Sequence, residues 1–403
     1  MCHQANLELY LDLGMTPLAD EFRAREKAAS LAQVSYPLEV VLCTDCGLSQ
    51  LSTVVAPEVL YQNDYPYESS TTAAGRQHFA RFAREVVDDY SVRPNELAID
   101  VGSNVGVLVR GFIDAGARGL GVEPAPNIAR IAKDNGIETM CEFFSIETAR
   151  SVVASHGKAR IITATNVFAH VDDLDGFMSA VDTLLTPDGL LIIEAPHFLQ
   201  LVQQLEYDTI YHEHLSYLAV EPLLGFFHRH GFELIDVVQE GIHGGSFRLF
   251  VARPGRYPTS PQVVDVHRLE TEEGICTLDR LRHFSSAVAV HRIELMTLLY
   301  DLKRAGKSIA GVSAPAKGMT LVNYCGIGPG ILDFVTEKSG LKIGRSTPGG
   351  RIPVLPDSAL TERAVDYGLL LAWNFANEIM ANLAGFKAAG GRFIIPIPHP
   401  TVI

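Results

Sequence analysis

Residues 96–112 read ELAIDVGSNVGVLVRGF, and this stretch decides the fold. Leu97 to Val101 is apolar but for Asp100 and predicts a buried strand. Gly102 and Gly106 then allow a sharp turn and a close backbone approach to a ligand, and a helical pattern follows. The next unit, LGVEPAPNIARIAKDNG (120–136), repeats strand and helix with Glu123 and Pro124 where the strand ends. An acidic residue about 20 positions past the first strand suits a pair of ribose hydroxyls. IITATNVFAHVDDLDGFMSAVDTLL (161–185) is a third unit, with Asn166 at a strand end, and LLIIEAP (190–196) is a fourth strand. Such repetition predicts the α/β class with a parallel, doubly wound sheet. A dinucleotide site wants G-x-G-x-x-G, but here position 104 is Asn. A nicotinamide-binding domain with an eroded fingerprint stays open as an alternative.

Outward from this core, 403 residues predict two or three domains. We place the boundaries at 1–70, 71–235 and 236–403. Hydrophobic residues make up 47% and the formal net charge is -14. Such a balance argues against nucleic-acid or membrane-surface binding, which want a basic face, but leaves room for a local anion pocket. With no long apolar run, no signal-like N-terminus and six scattered cysteines, the expectation is a cytoplasmic enzyme.

The N-terminal segment reads as irregular around LDLGMTPLADEF (11–22), with a strand at YPLEVVLC (36–43). Cys43-Thr-Asp-Cys46-Gly47 has the form of a zinc knuckle; Cys2 is a third ligand, the fourth is open and His3 is a weak choice. YQNDYPYESS (61–70) is a linker or a flap over a pocket. In the C-terminal segment, 264–306 predicts one or two helices. KSIAGVSAPAKGMTLVNYCG (307–326) then repeats strand, small-residue turn and helix. Lys317, at that helix start, with Lys342, Arg345 and Arg351 in a glycine-rich loop, offers an anion site.

EYDTIYHEHLSY (206–217) carries three tyrosines, two histidines and three acids just after the fourth strand. Ligands in open α/β sheets gather at such strand ends, and His212 and His214 titrate near neutrality. The stretch reads as an acid/base site, with an exposed polar helix start as the bland alternative.

Asp100-x-Gly102-x-x-x-Gly106 resembles the S-adenosylmethionine loop of class I methyltransferases, with Asn104, Glu123, Pro124 and Asn166 completing the cofactor residues. More of the chain resembles the C-methyltransferases of deoxysugar pathways, which act on nucleotide-linked 4-keto-6-deoxyhexoses. DLGMTPLADEF, PLEVVLCTDCGLSQL, YPYESS, DVGSNVG, GVEPAPNIA, ATNVFAHVDDL, EYDTIYHEHLSYL, GGSFR, APAKG and PGGRIPV carry that likeness in order. The resemblance implies a zinc-binding N-terminal module, an S-adenosylmethionine-binding Rossmann-like domain and a C-terminal Rossmann-like domain that holds the nucleotide sugar. It implies that Tyr65, His170, Tyr211, Glu213 and His214 face the sugar, with His214 as base, and that zinc is structural. The family opens with a C-x-x-C whose second position Cys2 would hold. An O- or N-methyltransferase, or a noncatalytic nucleotide-sugar binder, are the rival readings; carbon 3 versus carbon 5, and the oligomeric state, stay open.

Overall fold

A computed structural model describes residues 1–25, 33–61, 65–69, 73–241 and 244–403. Residues 62–64 and 70 of the tyrosine-rich loop therefore lie outside the described residues. The N-terminal module contains β1 (Leu7–Thr16), β2 (Arg23–Ala24), β3 (Tyr36–Cys43) and β4 (Ser49–Leu51). β1 pairs antiparallel with β3, and β3 with β4. The expected irregularity at 11–22 is corrected in part: residues 11–16 belong to a ten-residue strand. Register shifts between Leu9 and Leu11 and between Asp12 and Met15 break the two-residue alternation that would have marked it.

The central sheet is built from β5 (Leu97–Val101), β6 (Arg118–Val122), β7 (Thr139–Met140), β8 (Ala159–Thr165) and β9 (Leu185–Pro196). These five pair in parallel. β10 (Ser216–Tyr217) leaves this domain and pairs with β4 of the N-terminal module. β11 (Glu233–Glu240) and β12 (Ser246–Ala252) return antiparallel, so the order is β11-β12-β9-β8-β5-β6-β7. The boundary expected at 235/236 cuts through β11. Residues 247–252 of FRLFVARPG thus belong to the central sheet, because β12 pairs antiparallel with both β9 and β11 and is buried throughout. The ends of β5 and β8, where the strand order reverses, form the crevice that doubly wound sheets use for ligands. A buried network fastens the helix Ala73–Asp89 to this sheet. His78 Nε2 lies 2.7 Å from Glu194 Oε1, and Arg248 donates to Glu194 Oε2 at 2.9 and 2.8 Å.

Two helices follow, Pro261–Glu273 and Leu278–Arg304, separated at Gly274 with φ +67°. The C-terminal sheet comprises β13 (Ile309–Val312), β14 (Val335–Glu337), β16 (Val354–Pro356), β17 (Tyr367–Leu370), β18 (Arg392–Ile395) and β19 (Thr401–Val402), while β15 (Arg345–Ser346) pairs with β2. Its order is β16-β14-β13-β17-β18-β19, parallel except at β19. The apolar core does not follow the three-part sequence. Tyr10, Leu38 and Leu42 of the N-terminal module pack in one cluster with Tyr207, Ile210, Phe284 and Leu369, so the module and the C-terminal domain share a core. No helix among the described residues is long and apolar enough to cross a membrane.

Candidate active site

One cavity of about 990 Å³ is lined by all three parts of the chain, near the top of the ~300–1,000 Å³ range of ligand pockets. Its central wall is the β5 turn. Asp100, Gly102, Asn104, Glu123, Pro124 and Asn166 line it. Gly106 does not: its φ is +82°, and a Cβ there would sit 2.7 Å from the Ile137 side chain. It serves the packing of the helix Val107–Asp114, a correction to its expected cofactor contact.

Glu123 is buried and accepts the backbone amides of Asn104 and Ala125 at 2.9 and 2.8 Å. Burial raises its carboxyl above the usual range, and those two amides oppose the rise. Two of a carboxylate's roughly four acceptor positions remain for a vicinal diol. Burial likewise pushes Asp100 up to about 7, against the Thr163 hydroxyl 2.7 Å away. The crevice therefore fits the adenosine part of S-adenosylmethionine. The Asn104 side chain does something the sequence did not suggest. It accepts from Ser69 N at 2.9 Å and donates to Tyr67 O at 3.1 Å, while Asn127 donates to Tyr65 O at 2.9 Å. The described part of the tyrosine-rich loop is thus a flap pinned over the cavity.

Opposite this wall stands the acid/base cluster. Tyr65, His170, Tyr211, Glu213 and His214 all line the cavity. The segment reaches it through the helix Phe198–Gln203 and a 3-10 turn at Tyr207–Thr209. It is buried, not an exposed helix start: Glu213 and His214 are 4% and 8% exposed. His214 Nδ1 donates to Thr209 O at 2.7 Å, which fixes the tautomer and leaves the basic lone pair on Nε2. Its ring lies 4.1 Å from Tyr211 and 4.8 Å from His170, centroid to centroid. The orienting partner of His214 is therefore a backbone carbonyl. Glu213 instead accepts from the Tyr65 hydroxyl at 2.9 Å. Burial and the nearby Asp20 push its carboxyl up to about 8, against Tyr65 and Lys342. His170 Nδ1 meets the Tyr61 hydroxyl at 3.0 Å, and burial, with His214 beside it, holds this imidazole well below its usual value. His212 turns away, its Nε2 3.2 Å from Pro37 O in the N-terminal module.

The third wall belongs to the C-terminal domain. Lys317 lines the cavity, with its Nζ shielded and without a hydrogen-bond partner among the described residues. It sits 4.2 Å over the Trp373 ring. Arg345 and Arg351, expected beside it, do not line the cavity. Arg345 donates to Phe22 O across the β15–β2 pair, and Arg351 is exposed. Lys342 lines it instead, locked at 2.9 Å to Asp20 Oδ1 and 2.9 Å to Ala314 O. Tyr61 and Asp20 went unnoticed in the sequence, whereas Lys342 stood among the cations expected from the glycine-rich loop.

Away from the cavity, the thiol sulfurs of Cys2, Cys43 and Cys46 lie within 4.8 Å of one another, Cys2 and Cys43 at 3.5 Å. Tetrahedral zinc thiolates at about 2.3 Å from the metal require sulfurs about 3.8 Å apart, so the three fit one zinc. His3 is bound elsewhere, at 2.9 Å from Asp175. Gly47, at φ +77°, completes the knuckle; a Cβ there would meet Cys276 Cβ at 3.0 Å.

A doubly wound crevice with a glycine turn, a ribose-type acid and a facing acid/base cluster defines a methyltransferase. Family models agree with each part: "Putative zinc binding domain" at residues 1–61, "Methyltransferase domain" at 76–237 and "C-methyltransferase C-terminal domain" at 241–398. The chain is 35% identical to the C-methyltransferase NovU of Streptomyces niveus over 100% of this chain and 96% of that protein. It belongs to this family of C-methyltransferases. A ubiquinone biosynthesis O-methyltransferase of Colwellia psychrerythraea is 25% identical over 36% of this chain and 63% of that one. Among solved structures, magnesium protoporphyrin IX methyltransferase of Synechocystis with bound SAM is 16% identical, covering 44% of this chain and 79% of that chain at a TM-score of 0.34.

Proposed function

We propose that the protein uses S-adenosylmethionine to methylate carbon 3 of a nucleotide-linked 4-keto-6-deoxyhexose, the nucleotide being TDP. The observation that carries this reading is His214, its basic nitrogen set by the Thr209 carbonyl, in the same cavity as the Glu123 cradle and Lys317. A carbon beside a ketone becomes nucleophilic only when its proton is removed as the enolate oxygen is stabilised. His214 Nε2 takes that proton. Tyr211, its ring against His214, and the neutral acid Glu213 are the donors on this wall suited to the developing oxyanion; one such donor contributes about 3–4 kcal/mol. His170, kept neutral by burial, adds no repelling charge when His214 becomes cationic. The Tyr65–Tyr67 flap excludes water from the enolate. S-adenosylmethionine supplies a methyl group on a sulfonium, so the carbon needs no metal activation. Glu123 holds the cofactor ribose, and Lys317 faces the substrate diphosphate.

Incubation with TDP-4-keto-6-deoxyglucose in deuterated water, without methyl donor, tests the reading. Deuterium should enter the carbon beside the ketone, and with donor present that same carbon should carry the methyl group in the product NMR spectrum. Incorporation beside the ketone on the other side would move the reaction to carbon 5. A methylated hydroxyl or amine without exchange would overturn C-methylation of this sugar.

A further inference from the structure

The turn after β13 resembles the turn after β5: in each, a backbone amide of the turn is given to an acid at the end of the neighbouring strand. Asn104, with φ +51°, gives its backbone amide to Glu123 Oε2 at 2.9 Å. Ser313 has φ +68°, and the next residue, Ala314, gives its amide to Glu337 Oε2 at 2.9 Å. Glu123 directly follows β6 and Glu337 ends β14, the strands that pair in parallel beside β5 and β13. Both acids line the same cavity. On the second turn, the shielded Nζ of Lys317 adds an unsatisfied buried donor to that wall.

Resting on the nucleotide-sugar reading above, we propose that Glu337 is the acceptor for a single furanose hydroxyl of the substrate's nucleoside. The number of hydroxyls follows from the donors already present. Glu337 Oε1 accepts Lys338 N at 2.7 Å and Ser339 N at 3.2 Å, and Oε2 accepts Ala314 N. Three of roughly four acceptor positions are filled, and one on Oε2 is left. Glu123 keeps two. The first acid suits the vicinal diol of a ribose. The second suits one hydroxyl, and a 2′-deoxynucleoside supplies that with its 3′-hydroxyl. A 2′-hydroxyl adds no bond here.

Calorimetry on the full chain tests this with three probes: TDP, 3′-deoxy-TDP and S-adenosylhomocysteine. In the wild type, loss of the 3′-hydroxyl should weaken TDP binding by about tenfold or more, the range for a hydrogen bond to a charged partner. In Glu337→Gln the two nucleotides should bind within about twofold of each other, since a neutral acceptor contributes less. S-adenosylhomocysteine should bind both proteins alike, which shows the variant is folded. Equal binding of TDP and 3′-deoxy-TDP by the wild type would overturn the assignment of Glu337, and so would an unchanged preference in the variant. Failure of TDP itself to bind, with S-adenosylhomocysteine still bound, would instead overturn the nucleotide-sugar reading beneath it.

Discussion

His214 and Glu206 are the two residues whose replacement is most informative. His214→Asn removes the proposed base but leaves a side chain able to donate to Thr209 O, so the local turn should survive. Turnover should fall by about 10²–10⁴ while substrate and cofactor binding change little, and solvent exchange of the substrate's α-proton should vanish with it. Tyr211→Phe should cost less, because in the proposed reaction Tyr211 would supply only part of the oxyanion stabilisation. Normal exchange in His214→Asn would sink the assignment. Glu206 bears on stability. Burial pushes its carboxyl up to about 8, from an ordinary 4.5, although Lys317 pulls it down. Between those values the folded chain keeps a proton that the unfolded chain has released. Its contribution is full below pH 4.5 and lost as pH rises towards 8. Glu206→Gln should therefore flatten the decline of stability across this window, by up to about 1.4 kcal/mol per pH unit. Urea titrations at pH 5 and pH 8 would show it, and parallel slopes for both proteins would refute it.

Among the elements, the flap is the most exposed to test. Its described residues are held by two asparagine side chains, Asn104 from the β5 turn and Asn127 from the helix Pro126–Asp134 that follows β6. Asn127→Ala deletes one bond to Tyr65 O and touches neither proton transfer nor the Glu123 cradle. KM for the sugar nucleotide should rise about fivefold, matching a neutral hydrogen bond of roughly 1 kcal/mol, with Tm unchanged. An unaltered KM would mean the flap does not depend on this tether. β5, β6, β8 and β9 were legible in the sequence because parallel strands buried on both faces read as apolar runs, whereas the two-residue β7 and the antiparallel β11 were not read. β1 was not, because its bulges break the alternation. β12 was legible as a strand but not as a member of the central sheet, since pairing partners leave no mark in a single sequence. The same limit left the cationic wall partly unread: Lys317 was expected there and lines the cavity, but Lys342, Arg345 and Arg351 look alike in a glycine-rich context, and only the fold turns Lys342 inward. His214 and Tyr211 were readable because so many titratable groups crowd one short stretch. The Thr209 carbonyl that orients His214 could not be read.

At the scale of the whole molecule, Asp20 and Lys342 join the N-terminal module to the C-terminal domain through a buried pair, their side chains 9% and 6% exposed. Lys342→Met leaves Asp20 uncompensated and should cost about 3–5 kcal/mol, whereas Asp20→Asn combined with Lys342→Met should recover most of it. A double variant no more stable than the single would show that the pair is not the source of the cost. Zinc should matter at the same scale. Metal analysis of protein purified without added zinc should give one ion per chain, and a strong chelator should lower Tm and turnover together, because β10, two residues beyond His214, hydrogen-bonds to β4 of the zinc module. Full activity in metal-free protein would refute that coupling. The β4–β10 pairing also limits how these enzymes can be recombined. A chimera that exchanges residues 1–61 between relatives would set a foreign edge strand against Ser216 and Tyr217, misplacing the base two residues upstream. Productive crossovers should transplant the EYDTIYHEHLSY segment with the module, so that the two are inherited as one block though some 150 residues of chain separate them.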